Sequence, residues 1–175
     1  MNMHKEFDFV VFGATGFTGK LVVEYLVEKY SESPDISWAI AGRSSDKLES
    51  VAKLKKVPEE VPLIVADSND IESINNLISI TKCVLTTVGP YQLYGDSIIA
   101  ACANSGTDYV DLCGEPGWMH EKINEFNIIA KKSGSRIVFS CGFDSIPFDL
   151  GVLFLQDEVV MRFGKPSNNV RGRVR

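Results

Sequence analysis

Short apolar segments and longer amphipathic segments alternate along most of the chain. An apolar run of β type ends at Phe12, and a helix-like segment follows from Thr18 to about Lys29. Five further apolar strands are predicted at residues 36–41, 61–66, 83–88, 109–113 and 136–141. Helices are predicted between them at residues 46–54, with Ser45 as a cap, and at residues 70–80, 96–104 and 118–132. The pattern therefore predicts about six strands joined by single helices.

A turn rich in glycine follows the first apolar run, and its residues are Gly13-Ala14-Thr15-Gly16-Phe17-Thr18-Gly19. Gly13 permits a sharp turn, Gly16 lets a phosphate approach the main chain, and Gly19 lets the new helix lie against the sheet. The helix N-terminus offers free N–H groups, and the hydroxyls of Thr15 and Thr18 can cap the turn or bind phosphate. The turn predicts a dinucleotide-binding site, and the alternative is a structural turn without a ligand.

The connections between the strands predict the topology. Apolar strands that are each joined by one helix indicate a parallel sheet with helices on both faces, because right-handed crossovers place a helix on each side. The strand order 3-2-1-4-5-6 is the default for a chain that opens with a dinucleotide turn. The predicted fold class is therefore α/β, a doubly wound parallel sheet of the Rossmann type that binds NAD(P).

The last part of the chain departs from this alternation. A final helix is predicted to begin near Pro147, with Asp144 or Ser145 as its cap, and to run through Leu155. The chain then becomes polar and ends in a short strand-like segment at residues 170–175. A strand without a partner does not complete a domain. We predict a dinucleotide-binding domain over residues 1–163, and residues 164–175 as a polar tail or the start of a substrate domain that is missing or truncated.

Composition excludes several classes of protein. The chain has 175 residues, of which 45% are hydrophobic and 23% charged, as is typical of a globular domain. A formal net charge of −5 without a basic stripe argues against a nucleic-acid partner. The four cysteines are far apart and the two histidines are His4 and His120, so we expect neither a metal site nor a disulfide framework. This cysteine usage indicates a reducing, intracellular compartment. No signal sequence and no apolar run of bilayer length is apparent.

The residue that follows the second strand normally selects between NAD and NADP. The chain reads Ala41-Gly42-Arg43-Ser44 there, with no carboxylate before Asp46. A guanidinium beside a hydroxyl suits a 2′-phosphate, so the sequence favours NADP over NAD, and the alternative is that Arg43 is an ordinary surface arginine. Asp67, after the third strand, is a candidate acceptor for the adenine amino group or a helix cap. Val88-Gly89-Pro90 closes the fourth strand, where the second half of a dinucleotide would pass.

No set of catalytic residues is evident. The Tyr-x-x-x-Lys spacing of short-chain dehydrogenases occurs at Tyr25 and Lys29, on the first helix and far from a nicotinamide. Three polar residues follow strands, namely Glu115, Asp144 and Tyr91. We expect each of them to cap a helix or to hold a loop rather than to transfer a proton. The catalytic residues are therefore unknown. This does not exclude a reductase, because the cofactor carries the reactive carbon.

Seven blocks of sequence lie in one fixed order between about Phe7 and Leu155. They comprise residues 11–19, 38–44, 88–91, 94–95, 100–102, 109–116 and 142–151. Together they resemble the saccharopine dehydrogenase-like oxidoreductases, and the blocks around Gly89 and Phe143 are more specific than the glycine turn. The resemblance implies binding of pyrophosphate by Gly13, Ala14, Thr15, Gly16, Phe17 and Thr18. It implies binding of the adenosine end by Arg43 and Ser44, and of the nicotinamide side by Val88, Gly89, Pro90 and Tyr91.

The resemblance also implies more about the whole protein. Chains of this family continue into a substrate and dimerisation domain, so we expect the full-length protein to be an NAD(P)-dependent oxidoreductase and this length alone to be inactive. The expected partners are a small-molecule or lipid-like substrate and a second copy of the protein in a homodimer. The expected role is in lipid metabolism. The expected location is the cytoplasm, with a lipid droplet, a mitochondrion or a peripheral membrane surface as alternatives.

Two functions of different classes follow. The leading one is the dinucleotide-binding domain of an NADP-dependent reductase that delivers hydride to an imine, a carbonyl or a conjugated double bond. The alternative is a non-catalytic NADP-sensing or scaffold module with the same fold. Both functions require a bound dinucleotide, and they differ in whether the cofactor is oxidised.

Overall fold

The computed structural model describes residues 5–31, 33 and 35–174. His4 and the outer limits of the two predicted segments, at residues 1 and 175, lie outside the described residues. The six strands are β1 (Phe7–Phe12), β2 (Trp38–Gly42), β3 (Leu63–Val65), β4 (Thr81–Thr86), β5 (Asp108–Asp111) and β6 (Ile137–Val138). They form one parallel sheet in the order β3-β2-β1-β4-β5-β6, which confirms the predicted fold class and strand order.

Seven helices connect or follow the strands within the described residues. They are α1 (Phe17–Tyr30), α2 (Ser45–Lys55), α3 (Ile71–Ile80), α4 (Tyr91–Tyr94), α5 (Asp96–Ser105), α6 (Pro116–Ser133) and α7 (Ile146–Phe163). The helix α4 was not expected from the sequence, because a single turn is too short to show a periodic pattern. The cap predicted at Ser45 is wrong, since the hydroxyl of Ser44 accepts the amide of Lys47 at 3.4 Å.

The end of the chain also differs from expectation. Residues 170–174 form no strand and lie beside α7, where they line a groove with Phe148, Val152 and Leu155. Ser145, one of the two predicted caps, is the N-cap residue of α7 but makes no side-chain cap hydrogen bond, and the helix runs through Leu155 to Phe163. The division of the chain at residue 163 coincides with the end of this helix and stays a prediction.

The side chains of β1 point alternately to the two faces of the sheet, and each face is covered by its own apolar layer. Val10 and Phe12 belong to a cluster with buried residues of α3, α5 and α6. Val11, on the opposite face, clusters with Ile40 and with buried residues of α1 and α2. Successive residues of a strand point to opposite faces, so both faces of β1 are covered. Helices therefore lie on both faces of the sheet, as the crossover argument predicted.

The second layer covers only part of its face. Helices α1 and α2 pack beside β1 and β2, and an open apolar groove lined by Tyr25, Leu85 and Val110 lies beyond α1. Helix α7 buries none of its residues, although most of them are apolar. Leu153 is 58% exposed and Phe154 is 69% exposed. The apolar side chains of α7 are therefore not part of the core of the sheet.

An ion pair joins three segments at the amino edge of the sheet. The carboxylate of Asp8 accepts the Lys82 ammonium at 2.7 Å through Oδ1 and the Ser37 amide at 2.9 Å through Oδ2. These contacts join β1 to β4 and to the residue before β2. The hydrogen bonds from Lys82 and Ser37 lower the pKa of Asp8 to about 2.

This pKa predicts how stability responds to acid. The carboxyl of an unfolded aspartate titrates near ~3.9, so the contribution of Asp8 is present above about pH 4 and is lost as the pH falls towards 2. We expect Asp8→Asn to flatten the acid side of a plot of unfolding free energy against pH. Because Asp8 and Lys82 are partly exposed, we expect the loss near neutral pH to be below about 1 kcal/mol. Urea titrations of both proteins at stepped pH measure this, and parallel acid limbs would contradict it.

Candidate dinucleotide-binding site

An open cleft lies at the carboxyl edge of the sheet, between the ends of its first four strands. Its lining residues are Phe12, Gly13, Thr15, Gly16, Gly42, Arg43, Ala66, Asp67, Ser68, Thr87, Val88, Gly89 and Tyr94. Strand β1 lies between β2 and β4 in the sheet. The chain therefore adds β2 and β3 on one side of β1 and later adds β4, β5 and β6 on the other side. Ligands of doubly wound sheets bind at this point, where the strand order reverses.

The turn after β1 has room only for glycine at its first position. Gly13 has a φ of +91°, and a Cβ built there would lie 2.8 Å from both Thr87 Oγ1 and Val88 Cγ2. The Gly13 amide donates to Ala41 O at 2.9 Å, and the Gly16 amide donates to Gly13 O at 3.0 Å. These contacts join the turn to β2 and keep it next to the loop that follows β4.

Helix α1 begins directly against this turn. A Cβ built on Gly19 would lie 2.2 Å from Gly13 O and 2.8 Å from Ala14 Cα, so the helix touches the main chain of the turn. Gly19 was predicted to let the helix lie against the sheet, and in the structure it lets the helix lie against the turn after β1. Ala14 itself is fully buried beneath the turn, whereas the Phe17 side chain is 83% exposed.

The first N–H groups of α1 lack internal partners. Gly16 is the N-cap and provides no side chain, and the amides of Thr15, Phe17 and Thr18 donate to no acceptor among the described residues. Free amides at the positive end of a helix bind anions. Thr15 and Gly16 line the cleft, whereas Ala14, Phe17 and Thr18 do not, so the N-terminus of α1 borders the cleft. Free amides in this position fit the diphosphate of a dinucleotide.

The packing of Gly19 gives a testable consequence. Gly19→Ala forces α1 away from the turn, so we expect a loss of about 1–3 kcal/mol in unfolding free energy. We also expect the dissociation constant of NADPH to rise by at least about tenfold, because the free amides move with the helix. Gly117→Ala in α6 is the matched control, since its new Cβ meets nothing within 4 Å. Urea titration and calorimetry measure both effects, and equal behaviour of the two variants would contradict the packing argument.

Arg43 and Asp67 line the side of the cleft that is formed by the segments after β2 and β3. Arg43 is exposed at the rim after β2, and no carboxylate of the described residues pairs with it. Asp67 lines the cleft and accepts the Asn69 amide at 3.0 Å, while the cap of α3 is Asp70. Ser44 does not line the cleft, and its hydroxyl oxygen caps α2.

Val88 and Gly89 form the opposite wall. Thr87 Oγ1 donates to Gly13 O at 3.1 Å, which joins this wall to the glycine turn. Pro90 is exposed and precedes α4, and the Gly89–Pro90 peptide is cis. Thr87 and Tyr94 line the cleft although sequence analysis did not select them. Tyr94 had a signal in the resemblance block at residues 94–95, whereas Thr87 lay inside a predicted strand.

The Tyr91 side chain lies outside the cleft. It is buried, and its hydroxyl donates to Thr86 O at 3.2 Å and accepts the Leu112 amide at 3.3 Å. Burial raises the pKa of Tyr91 well above its usual range. Tyr91 therefore supports the wall from behind, and a role in cofactor binding would act through the position of that wall.

Two carboxylates connect the loops that follow the strands. Glu115 accepts the Tyr91 amide at 2.7 Å and the Gln92 amide at 2.9 Å, which confirms the loop-contact interpretation for this residue. Asp111 is buried, and it accepts the Tyr109 hydroxyl at 2.8 Å and the Ser140 amide at 2.8 Å. Burial raises the pKa of Asp111.

Over residues 5–31, 33 and 35–174, no group of three or more His, Cys, Asp or Glu side chains is close enough to hold a metal ion. None of the helices in these residues has the combined length and apolarity that crossing a bilayer requires.

The fold and the cleft define a doubly wound dinucleotide-binding domain. A family model described as the saccharopine dehydrogenase NADP binding domain matches residues 9–138. The chain belongs to this family, which confirms both the predicted family and NADP as the cofactor.

Two curated relatives are similar over most of the chain. The "Lipid droplet localized protein" of Caenorhabditis elegans is 43% identical over 155 residues, which cover 86% of this chain and 36% of the relative. The "Trans-acting enoyl reductase" of Mycobacterium leprae is 44% identical over 157 residues, covering 89% of this chain and 37% of the relative. The chain therefore spans little more than a third of the length of these relatives.

Solved structures show the same fold at lower identity. Apo saccharopine dehydrogenase (L-Glu forming) from Saccharomyces cerevisiae matches with a TM-score of 0.70 and 19% identity, over 90% of this chain and 32% of that chain. Triphenylmethane reductase from Citrobacter sp., complexed with NADP(H), matches with a TM-score of 0.55 and 18% identity, over 76% of this chain and 48% of that chain.

Proposed function

We propose that this chain is the NADPH-binding domain of a reductase that transfers hydride to an imine, a carbonyl or a conjugated double bond. The observation that carries the proposal is the cleft at the carboxyl edge of the sheet, which is bordered by the N-terminus of α1 and by Arg43, a cation that pairs with no carboxylate of the described residues. The name of the M. leprae relative, trans-acting enoyl reductase, supports a conjugated double bond as one acceptor of the hydride.

The residues divide between the two ends of the cofactor. Gly13, Ala14 and Gly16 shape the turn, and the amides of Thr15, Phe17 and Thr18 would hold the diphosphate. Arg43 would bind the 2′-phosphate, and Ser44 can still donate its hydroxyl proton to it while its oxygen caps α2. Asp67 would accept from adenine, and Val88 to Tyr91 would border the nicotinamide. Bound NADPH supplies the hydride, and these residues bind and orient it.

The nature of the substrate is a further part of the proposal. The relatives are nearly three times as long as the matched region, so the substrate side would come from other parts of a longer protein. A lipid-like substrate and a location at lipid droplets are supported by the printed name of the C. elegans relative. A homodimer and peripheral membrane association belong to the same proposal.

A non-catalytic NADP-sensing or scaffold module is the second candidate. One observation favours it: among the described residues that line the cleft, Asp67 is the one carboxylate, and histidine and lysine are absent. Asp67 lies on the adenosine side, where it would not reach a substrate beside the nicotinamide. Turnover separates the two candidates, since both bind the same cofactor.

Arg43→Ala tests the placement of the adenosine end. Because a charge-assisted contact with phosphate contributes about 1.5–3 kcal/mol, we expect the dissociation constant of NADPH to rise about tenfold to a hundredfold. NADH lacks the 2′-phosphate, so we expect its affinity to change less than about twofold. Arg162→Ala, an exposed arginine on α7, is the control. Calorimetric titration with both dinucleotides measures this, and equal wild-type affinity for NADPH and NADH would overturn the assignment of Arg43.

Turnover requires the full-length protein. We expect it to oxidise NADPH in the presence of an enoyl, carbonyl or imine substrate, with one reduced product formed for each cofactor consumed. Absorbance of the reduced nicotinamide and mass analysis of the product measure this. A protein that binds NADPH tightly and never oxidises it across such a panel would favour the sensing module.

A further inference from the structure

The wall of the cleft at residues 87–90 has no regular structure of its own. It follows β4 and precedes α4, a helix of one turn, and Val88 and Gly89 line the cleft. The Thr87 amide donates to Phe12 O at 2.9 Å, and side-chain contacts with neighbouring elements supply further support. Thr87 joins it to the glycine turn on one side, and the hydroxyl of Tyr91 anchors its far end to the main chain of Thr86 and Leu112.

Glu115 provides the remaining support, and it comes from a different loop. It lies between β5 and α6, and its two oxygens accept the amides of Tyr91 at 2.7 Å and Gln92 at 2.9 Å. These are the first two N–H groups of α4, which have no acceptor within the helix. Pro90, the N-cap residue, makes no side-chain cap. The carboxylate of Glu115 therefore takes the place of the missing cap and carries the negative charge that a helix N-terminus favours.

The position of Glu115 argues against a role in proton transfer. Both carboxylate oxygens are engaged by main-chain amides, and Glu115 is not among the residues that line the cleft. Its influence on a ligand can only pass through the wall that it holds. The glycine turn and Arg43 follow β1 and β2, and the glycine turn meets the wall at Thr87, at the opposite end from the amides that Glu115 accepts.

We propose that Glu115 is a positioning residue that holds the Val88–Pro90 wall against the nicotinamide half of NADPH. Its carboxylate sets the affinity for the complete dinucleotide and leaves the affinity for the adenosine half unchanged. This inference rests on the proposed placement of the nicotinamide beside residues 88–91.

Two probes test this role separately from a structural one. NADPH contacts both halves of the cleft, whereas 2′,5′-ADP contains the adenosine and its phosphates and lacks the nicotinamide. Glu115→Gln replaces one accepting oxygen by an amide donor that faces an N–H group. We expect the dissociation constant of NADPH to rise about tenfold and that of 2′,5′-ADP to change less than about twofold. Glu115→Asp keeps both oxygens on a shorter side chain, and we expect it to restore part of the NADPH affinity.

Asp108→Asn is the matched control. Asp108 also joins a main-chain amide of a neighbouring segment, that of Arg136 at 2.8 Å, but it lies at the start of β5, on the opposite edge of the sheet. We expect this variant to bind both probes as the wild type does. Calorimetry of each variant with each probe gives the comparison, and retained binding of 2′,5′-ADP reports that Glu115→Gln is folded.

The outcomes separate the two levels of the argument. An equal loss of affinity for both probes would overturn the inference, because Glu115 would then support the fold as a whole. Unchanged affinity for NADPH in Glu115→Gln would also overturn it. A wild-type chain that binds neither probe would instead overturn the proposed placement of the cofactor on which the inference rests.

Discussion

Helix α1 and the turn after β1 touch through main-chain atoms, and the rest of the site depends on this contact. A Cβ on Gly19 would lie 2.2 Å from Gly13 O, so residue 19 must be glycine for the helix to begin where it does. The position of the helix decides where its free amides lie. Free amides at a helix N-terminus bind anions, so under the proposed function the place of the diphosphate depends on a steric constraint between two glycines.

Around this point the cleft is assembled from loops that hold one another. Thr87 contacts the glycine turn, Tyr91 contacts the ends of β4 and β5, and Glu115 caps α4 from the next loop. Asp111, behind them, accepts the amide of Ser140 and so joins the loops after β5 and β6. Loops at the carboxyl edge have no ladder hydrogen bonds of their own. Hydrogen bonds from polar side chains of one loop to the main chain of the next therefore hold these loops in place.

Binding of the cofactor and transfer of its hydride make different demands on a protein. Binding of NADP needs a turn, a helix N-terminus and a cation at one rim, and all three lie within the region that matches the family model. Hydride transfer asks the protein mainly for orientation, because the cofactor carries the reactive carbon. One fold of this kind can therefore serve different functions, and the relatives that the chain matches carry different names, a lipid droplet localized protein and a trans-acting enoyl reductase.

The sequence by itself determined the α/β class, the strand order, the dinucleotide turn and the preference for NADP. Each depends on local signals: alternation of apolar segments, glycine spacing, and the residue type after a strand. The tertiary structure alone decided the strand limits, since β6 is reduced to Ile137–Val138 by the length of its pairing with β5. It also decided that Tyr91 faces away from the cleft and that Glu115 reaches α4. These outcomes depend on contacts between residues distant in sequence, and no local pattern of residue types specifies which partner a side chain will meet.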